Sequence, residues 1–323
     1  MTISTPLTAL LQIKHPILLA PMAGAAGGRL AAAVSHAGGL GIVGGGYGET
    51  DWLTRELDAA GNARIGVGFI TWSMAQNPRL LDLALERKPA AIMLSFGDIA
   101  PHVEAIKRAG ALLICQIQGV TEAKDVVVKG ADIVVAQGTE AGGHGATRAT
   151  FPLVPAAVDV AGDIPVAAAG GIADGRGLAA ALMLGAAGVL MGTRFLASTE
   201  SLVSLKAKRR LIDSNGESTV RTSVFDIVRG RTWPAPYTGR VIRNEFLESW
   251  SGREADLVRD REQAARAYAE GQRRDDQGTA VLHAGEALDL IGDIPPAREI
   301  VERVVHDAER LLGGASDRYR LGQ

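Results

Sequence analysis

Apolar positions along this chain come in eight short unbroken runs rather than in alternation. They are PILLAP from Pro16, GLGIVG from Gly39, IGVGFI from Ile65, AIMLSF from Ala91, LLICQI from Leu112, DIVVAQ from Asp132, PVAAAG from Pro165 and GVLMGT from Gly188. Each is strand-sized, and continuous apolar character means that both faces are covered, as in a parallel sheet wrapped by helices. Between them, stretches such as GRLAAAVSHAGG, PRLLDLALERKP, VEAIKRAGA and GRGLAAALMLGAAG repeat apolar residues three or four apart and end in Gly or Pro or just before one, which predicts helices with stop signals. Eight such units in about 200 residues predict an α/β fold, a (β/α)8 TIM barrel, over residues 1–205.

The pattern changes after Thr199. Residues 206–285 are polar and Arg-rich, are interrupted by WPAPYTG, and include the charged helix-like stretch READLVRDREQAARAYAEGQRRDDQ. They predict a smaller, mostly helical inserted domain or lid. In the last segment, 286–323, IPPAREIVERVVHDAERLLGG places Ile300, Val304, Ala308 and Leu311 on one stripe, as expected of a helix returning to the barrel.

Composition narrows the function. With 47% apolar residues, 4% aromatics and 40 glycines, the core must be closely packed Ala, Val, Ile and Leu. A net charge of −2 from 34 basic and 36 acidic residues, with no long basic run, argues against nucleic acid. No stretch approaches the ~20 apolar residues of a membrane span, and MTISTPLTALLQIKHP lacks the basic region and cleavage site of a signal peptide, so a cytoplasmic protein is expected. The single cysteine, Cys115, reads as a small buried hydrophobe, and no pair of histidines has metal-site spacing, so no metal is expected.

In a barrel the ligand-binding groups follow the strands at one mouth. Met22, Gly44 to Tyr47, Thr71, Trp72, Gly97, Asp98, Gln118, Gln137 to His144, Gly170 to Ile172 and Gly192 to Arg194 hold those places. Within AQGTEAGGHGAT, His144 sits on a loop whose glycines at 138, 142, 143 and 145 would let a planar ligand approach the backbone. AAGGIADGRG (168–177) and MGTRF (191–195) follow the seventh and eighth runs, where barrels often bind phosphate through main-chain N–H groups. No GxxxxGK[ST] occurs and AGGIADGRG lacks the spacing of GxGxxG, which leaves flavin mononucleotide (FMN) as the ligand with one phosphate and one ring system. PILLAPMAG would then set Ala20, Pro21 and Met22 beside the ring, with a backbone N–H within reach of its N5. His15 precedes Pro16 before the first strand, His36 sits on a helix of the outer ring, and His102, His283 and His306 fall in helical or exposed contexts; all five read as structural. Glu140 reads as a solvated carboxylate rather than one that orients the loop. Tyr237, Arg240 and Asn244 either fold over the mouth or make an inter-domain contact.

The blocks APMAG, AAAVSHAGGLGIVGGGY, AQGTEAGGH, AAGGIADG, GAAGVLMGTRFLAS, YTGRVIRNEF and HAGEALDLIGDIPPAREIV, in this order, resemble the nitronate monooxygenase (2-nitropropane dioxygenase-like) family. The resemblance implies an FMN-dependent barrel oxidising nitronates or nitroalkanes with O2 to a carbonyl compound and nitrite, as a monomer or homodimer. It implies that Met22 lies against the flavin, that Gln137 and Gly142 contact it, and that Gly171 with Leu190, Met191, Gly192 and Thr193 holds the phosphate. Gly68, Gln116, Gly143 and Gly170 complete the cofactor set, although many relatives carry Asn where Gly68 stands, so an amide contact is lost here. His144 matches the histidine with a substrate-binding or base role. An imidazole of ordinary pKa ~6.5 can accept a nitroalkane Cα proton or, protonated, hold an anionic nitronate.

Two other functions compete. An NAD(P)H-dependent flavin oxidoreductase, reducing a quinone, free flavin or an enoyl thioester, shares the APM, GGLG and EAGGH-like blocks, though those reductases resemble AEG rather than AQG at Gln137. A flavin- or phosphate-binding protein without turnover would not need a titratable group at the ring.

Overall fold

The computed structural model describes residues 3–314. Each of the eight runs contains a strand: β1 (Ile17–Leu19), β2 (Ile42–Gly44), β3 (Gly66–Ile70), β4 (Ala91–Ser95), β5 (Leu112–Ile117), β6 (Ile133–Gln137), β8 (Val166–Ala169) and β9 (Gly188–Met191). They pair in parallel in the order β1-β9-β8-β6-β5-β4-β3-β2. A parallel bridge from Leu18 to Leu40, with Leu40 N–H on the Ile17 carbonyl at 2.9 Å, brings the first and last strands together, so the sheet is a TIM barrel.

Side chains alternate across each strand. Leu18, Ile42, Met93, Ile114, Val135, Ala167 and Leu190 fill the barrel, whereas Ile17, Val43, Val67, Ile92, Val134, Ala168 and Met191 pack beneath the helices. The lower end is plugged by the helix Pro6–Leu11, which the run pattern did not reveal because it is only six residues long. Thr5 caps it in a capping box and bonds the Ala187 carbonyl at 2.6 Å, which seats Leu7 and Leu11 in the barrel interior. The helix Ala297–Gly313 packs on the helices Gly175–Met183 and Gly28–His36, burying Ile300, Val304 and Ala308 with Leu311 at the edge, as the stripe predicts. Residues 315–323 of that last segment lie outside the described residues.

The region after β9 carries the helices Leu205–Ile212, Val224–Val228, Glu245–Trp250, Glu254–Arg259 and Arg261–Arg273. It also contains two strands absent from the mostly helical expectation, β10 (Thr219–Thr222) and β11 (Thr238–Ile242). They form an antiparallel sheet, β10-β11-β7, whose third member β7 (Gly143–Gly145) belongs to the loop after β6. Gly239 pairs with His144, so the insertion is stitched to the barrel at the histidine itself.

Candidate active site

A cavity of about 820 Å3 opens at the carboxyl ends of the barrel strands, and every residue that the sequence assigns to the site lines it except Met191. Period two turns Met191 outward under the helices, so within 190–193 it is Leu190, Gly192 and Thr193 that reach the cavity. Thr71, Trp72, Gly97, Asp98, Gln118 and Arg194, expected around the mouth, do not line it. Asp98 is in a surface ion pair with Lys129 at 2.9 Å, and Arg194 is buried on the Asp293 carbonyl and carboxylate.

The end of the cavity where the sequence predicts a phosphate is backbone. Gly170 and Gly171 lie in the left-handed region (φ 104° and 73°), and among the described residues neither N–H meets a protein acceptor. A Cβ on Gly170 would sit 3.0 Å from the Gly138 carbonyl. In the helix Gly175–Met183, the Asp174 carboxylate already accepts from the N–H groups of Arg176 and Gly177. The first strand differs from expectation: Ala20 N–H bonds Met191 O and Met22 N–H bonds Ala20 O, both at 2.9 Å, and Pro21 has no N–H. The backbone donors left there are Ala23 and Gly24. At Gly68, a Cβ would lie 2.3 Å from Pro21 Cβ, so no side chain fits unless Pro21 moves. On β5, Gln116 turns to the cavity with its Nε2 enclosed and without a partner.

The glycines around His144 serve protein packing more than ligand approach. Cβ atoms at 138, 142 and 145 would collide with Thr150, with Ala284–Gly285 and with the Gln137 amide, and only at Gly143 (φ 76°) is the space open. Glu140 orients the loop: its carboxylate accepts from Thr150 N at 2.9 Å and from Thr150 Oγ1 at 2.7 Å. Arg221 and Arg240 clamp the Thr139 carbonyl at 3.1 and 2.8 Å, and Arg221 reaches Gly145 O at 3.0 Å. Burial pulls the Arg221 guanidinium down to about 10, with Arg240 nearby adding to the effect. The Gln137 amide donates to His144 O at 2.7 Å.

His144 is buried, and its Nε2 lies 2.9 Å from Asp226 Oδ2, whose other oxygen pairs with Arg229 at 3.1 Å. With the carboxylate accepting, the proton sits on Nε2 and the lone pair on Nδ1. Burial holds the imidazole below its usual range while Asp226 opposes that shift. The indole of Trp233 lies flat on the ring, with centroids 3.5 Å apart and planes 5° from parallel. Phe96, Trp72 and Tyr47 meet that indole edge-on, and Tyr237 meets Phe96. A chain with only four Trp and four Tyr therefore gathers Trp72, Trp233, Tyr47 and Tyr237 in this one cluster, and Trp52 lines the cavity as well.

Asp226, Trp233 and His283 escaped the sequence reading. Asp226 interrupts the apolar run VFDIV, a signal that a buried acid has a partner. Trp233 lies in a segment whose prolines marked it only as a break. His283, read as structural in a helical or exposed context, instead lines the cavity 5.6 Å from the His144 ring, with Nδ1 enclosed and unpaired. Burial, first, and Arg229 keep it well below its usual range. Tyr237, Arg240 and Asn244 make contacts rather than line the cavity: Tyr237 OH donates to Glu122 at 2.8 Å, Arg240 pairs with Glu286 at 2.8 Å, and Asn244 caps the helix Glu245–Trp250. Cys115 is buried as expected, which pushes its thiol up to about 12. Among the described residues no group of three or more His, Cys, Asp or Glu is placed to hold a metal ion, and no helix is long and apolar enough to cross a membrane.

The chain is 34% identical to a nitronate monooxygenase of Metarhizium robertsii, an alignment covering 93% of this chain and 92% of that protein. It is 38% identical to the (3aS,4S,5R,7aS)-5-hydroxy-7a-methyl-1-oxo-octahydro-1H-indene-4-carboxyl-CoA dehydrogenase of Mycobacterium tuberculosis, covering 77% of this chain and 68% of that one. Among solved structures, FabK from Thermotoga maritima superposes with a TM-score of 0.86 at 33% identity, covering 98% of this chain and 100% of the other. The nitroalkane oxidase from Streptomyces ansochromogenes gives 0.83 at 28%, covering 97% and 100%. The nitronate monooxygenase family model matches residues 4–64 and 62–307, so that this chain, an oxidoreductase built on a TIM barrel, belongs to the nitronate monooxygenase family.

Proposed function

We propose that the protein is an FMN-dependent nitronate monooxygenase, converting nitronates or nitroalkanes with O2 to a carbonyl compound and nitrite. The observation that carries the reading is the buried His144–Asp226 pair opening, through Nδ1, on a cavity ringed by glycine main chain. The residues fit FMN: the open N–H groups of Gly170 and Gly171 suit its phosphate, with Gly192 and Thr193 beside them, and the orphaned Gln116 amide suits a carbonyl or nitrogen of its ring. The volume lies within the ~300–1,000 Å3 range of cofactor sites. Bound there, the flavin supplies the electron acceptor.

The chain's own residues handle the proton and the surroundings. His144 takes the Cα proton of a nitroalkane at Nδ1, and Asp226 steadies the cation that results. For a nitronate already formed, the same imidazolium holds the anion. Tyr47, Phe96 and Trp233 limit water around the reacting carbon.

Purified protein should absorb as a flavoprotein, consume O2 and release nitrite with ethyl nitronate, and keep its flavin oxidised when mixed anaerobically with NADPH or NADH. The likeness to FabK and to a CoA-ester dehydrogenase supports a second reading, an NAD(P)H-dependent flavin reductase. Rapid anaerobic bleaching by NADPH, without nitrite release from nitronate, would favour that reading over ours.

A further inference from the structure

We infer that Trp233 is the positioning residue of His144: its stacked indole fixes the plane that turns Nδ1 to the cavity and steadies the imidazolium once the proton has been taken. The inference deepens the proposed function and rests on it for a nitroalkane as the source of that proton.

Asp226 holds one atom of the ring, and one hydrogen bond leaves rotation about its own axis free. The coplanar indole 3.5 Å away removes that freedom. Trp233 is itself held on three sides, by Phe96 at 5.1 Å, Trp72 at 5.4 Å and Tyr47 at 6.3 Å, all near perpendicular. Its segment is pinned at both ends. Arg231 covers the Tyr47 ring at 3.4 Å, and Tyr237 bonds Glu122 on a barrel helix. Such bracing is unusual for a half-buried loop residue flanked by exposed Thr232 and Pro234.

An indole face attracts a cation more than a neutral ring, and Trp does so best among the aromatic residues. The stack therefore favours the protonated imidazole, in the same sense as Asp226. Arg229, Arg231, His283 and burial itself act against it.

The test is a pH titration by NMR of the flavin-bearing protein with labelled histidine, the His144 Cε1–H being identified by its loss in His144→Asn. In wild type this proton should resonate upfield of the other histidines because of the indole ring current. Trp233→Leu, which keeps the site apolar, should return it to the ordinary range, lower the His144 titration midpoint and reduce kcat on nitroethane about tenfold with KM within about twofold. Trp233→Phe should recover most of each. An ordinary His144 shift in wild type, or an unmoved midpoint and kcat in Trp233→Leu, overturns the inference. If the shifts behave as described while wild type fails to turn over any nitronate, the stack stands and the substrate assignment falls instead.

Discussion

The barrel and the insertion build their halves of the site by opposite means. The barrel's interior is aliphatic and its strands are held by regular parallel ladders, and at its mouth it offers glycine, main-chain N–H and amide side chains, with the rings of Tyr47, Trp72 and Phe96 to receive the insertion's Trp233. The insertion offers charge and aromatic surface: Asp226 and Arg229 behind the imidazole, Trp233 over it, His283 beside it and two arginines clamping the loop. His144 belongs to the barrel by sequence and to the insertion's sheet by pairing. Under the proposed function, the barrel would bind its ligand through features any phosphate would use, while the insertion would set what the histidine can do to the substrate.

Substitutions on either side can break that division. The largest effect is expected from Asp226→Asn, which should lower kcat on ethyl nitronate by ~10²-fold or more while flavin absorbance is retained. Because Asp226 raises the His144 pKa, its loss should also move the acid limb of the nitroethane kcat/KM profile, where His144 acts as a base, to lower pH. Retention of the wild-type rate would show that the insertion contributes no chemistry. On the barrel side, Leu7→Ala at the plugged end should cost about 2–5 kcal/mol in urea denaturation and leave turnover per bound flavin unchanged. A smaller effect is expected from Gly171→Val. A β-branched residue at φ 73° costs roughly 1–2 kcal/mol, so FMN affinity measured by fluorescence should fall about tenfold, with kcat recovered at saturating FMN.

The smallest effect is on acid stability. Burial lowers the pKa of both His144 and His283, so the unfolded chain takes up protons below pH ~6.5 that the folded chain refuses until lower pH. Their contribution is therefore complete above that value and is lost as pH falls through the folded pKa values. Tm should decline from pH 7 to 5, less steeply in His283→Gln, and an equal slope in the variant would count against a neutral buried His283.

What the sequence made legible follows from the same contrast. Each of the eight barrel strands lies inside its predicted run because two-sided burial leaves an unbroken apolar signature. His144 and the paired glycine turns were readable because φ angles and close contacts restrict those positions to one residue type. The strands TVRT and TGRVI carry no such signature, since one edge of their sheet is a three-residue loop segment and their arginines serve that loop. Asp226 and His283 are brought to His144 from 82 and 139 positions away, which local pattern cannot register. That a tight turn takes up the Met22 N–H at Ala20–Met22 was likewise beyond the local pattern.

The central claim is that one imidazole, held by the insertion over a flavin held by the barrel, performs the proton chemistry. Its most direct test is His144→Asn, assayed for flavin absorbance and for ethyl nitronate and nitroethane turnover side by side. We expect the spectrum to persist while turnover falls by ~10²–10⁴-fold, with nitroethane more severely affected because its Cα proton must be removed. A variant that keeps its flavin and oxidises both substrates at the wild-type rate would contradict the account.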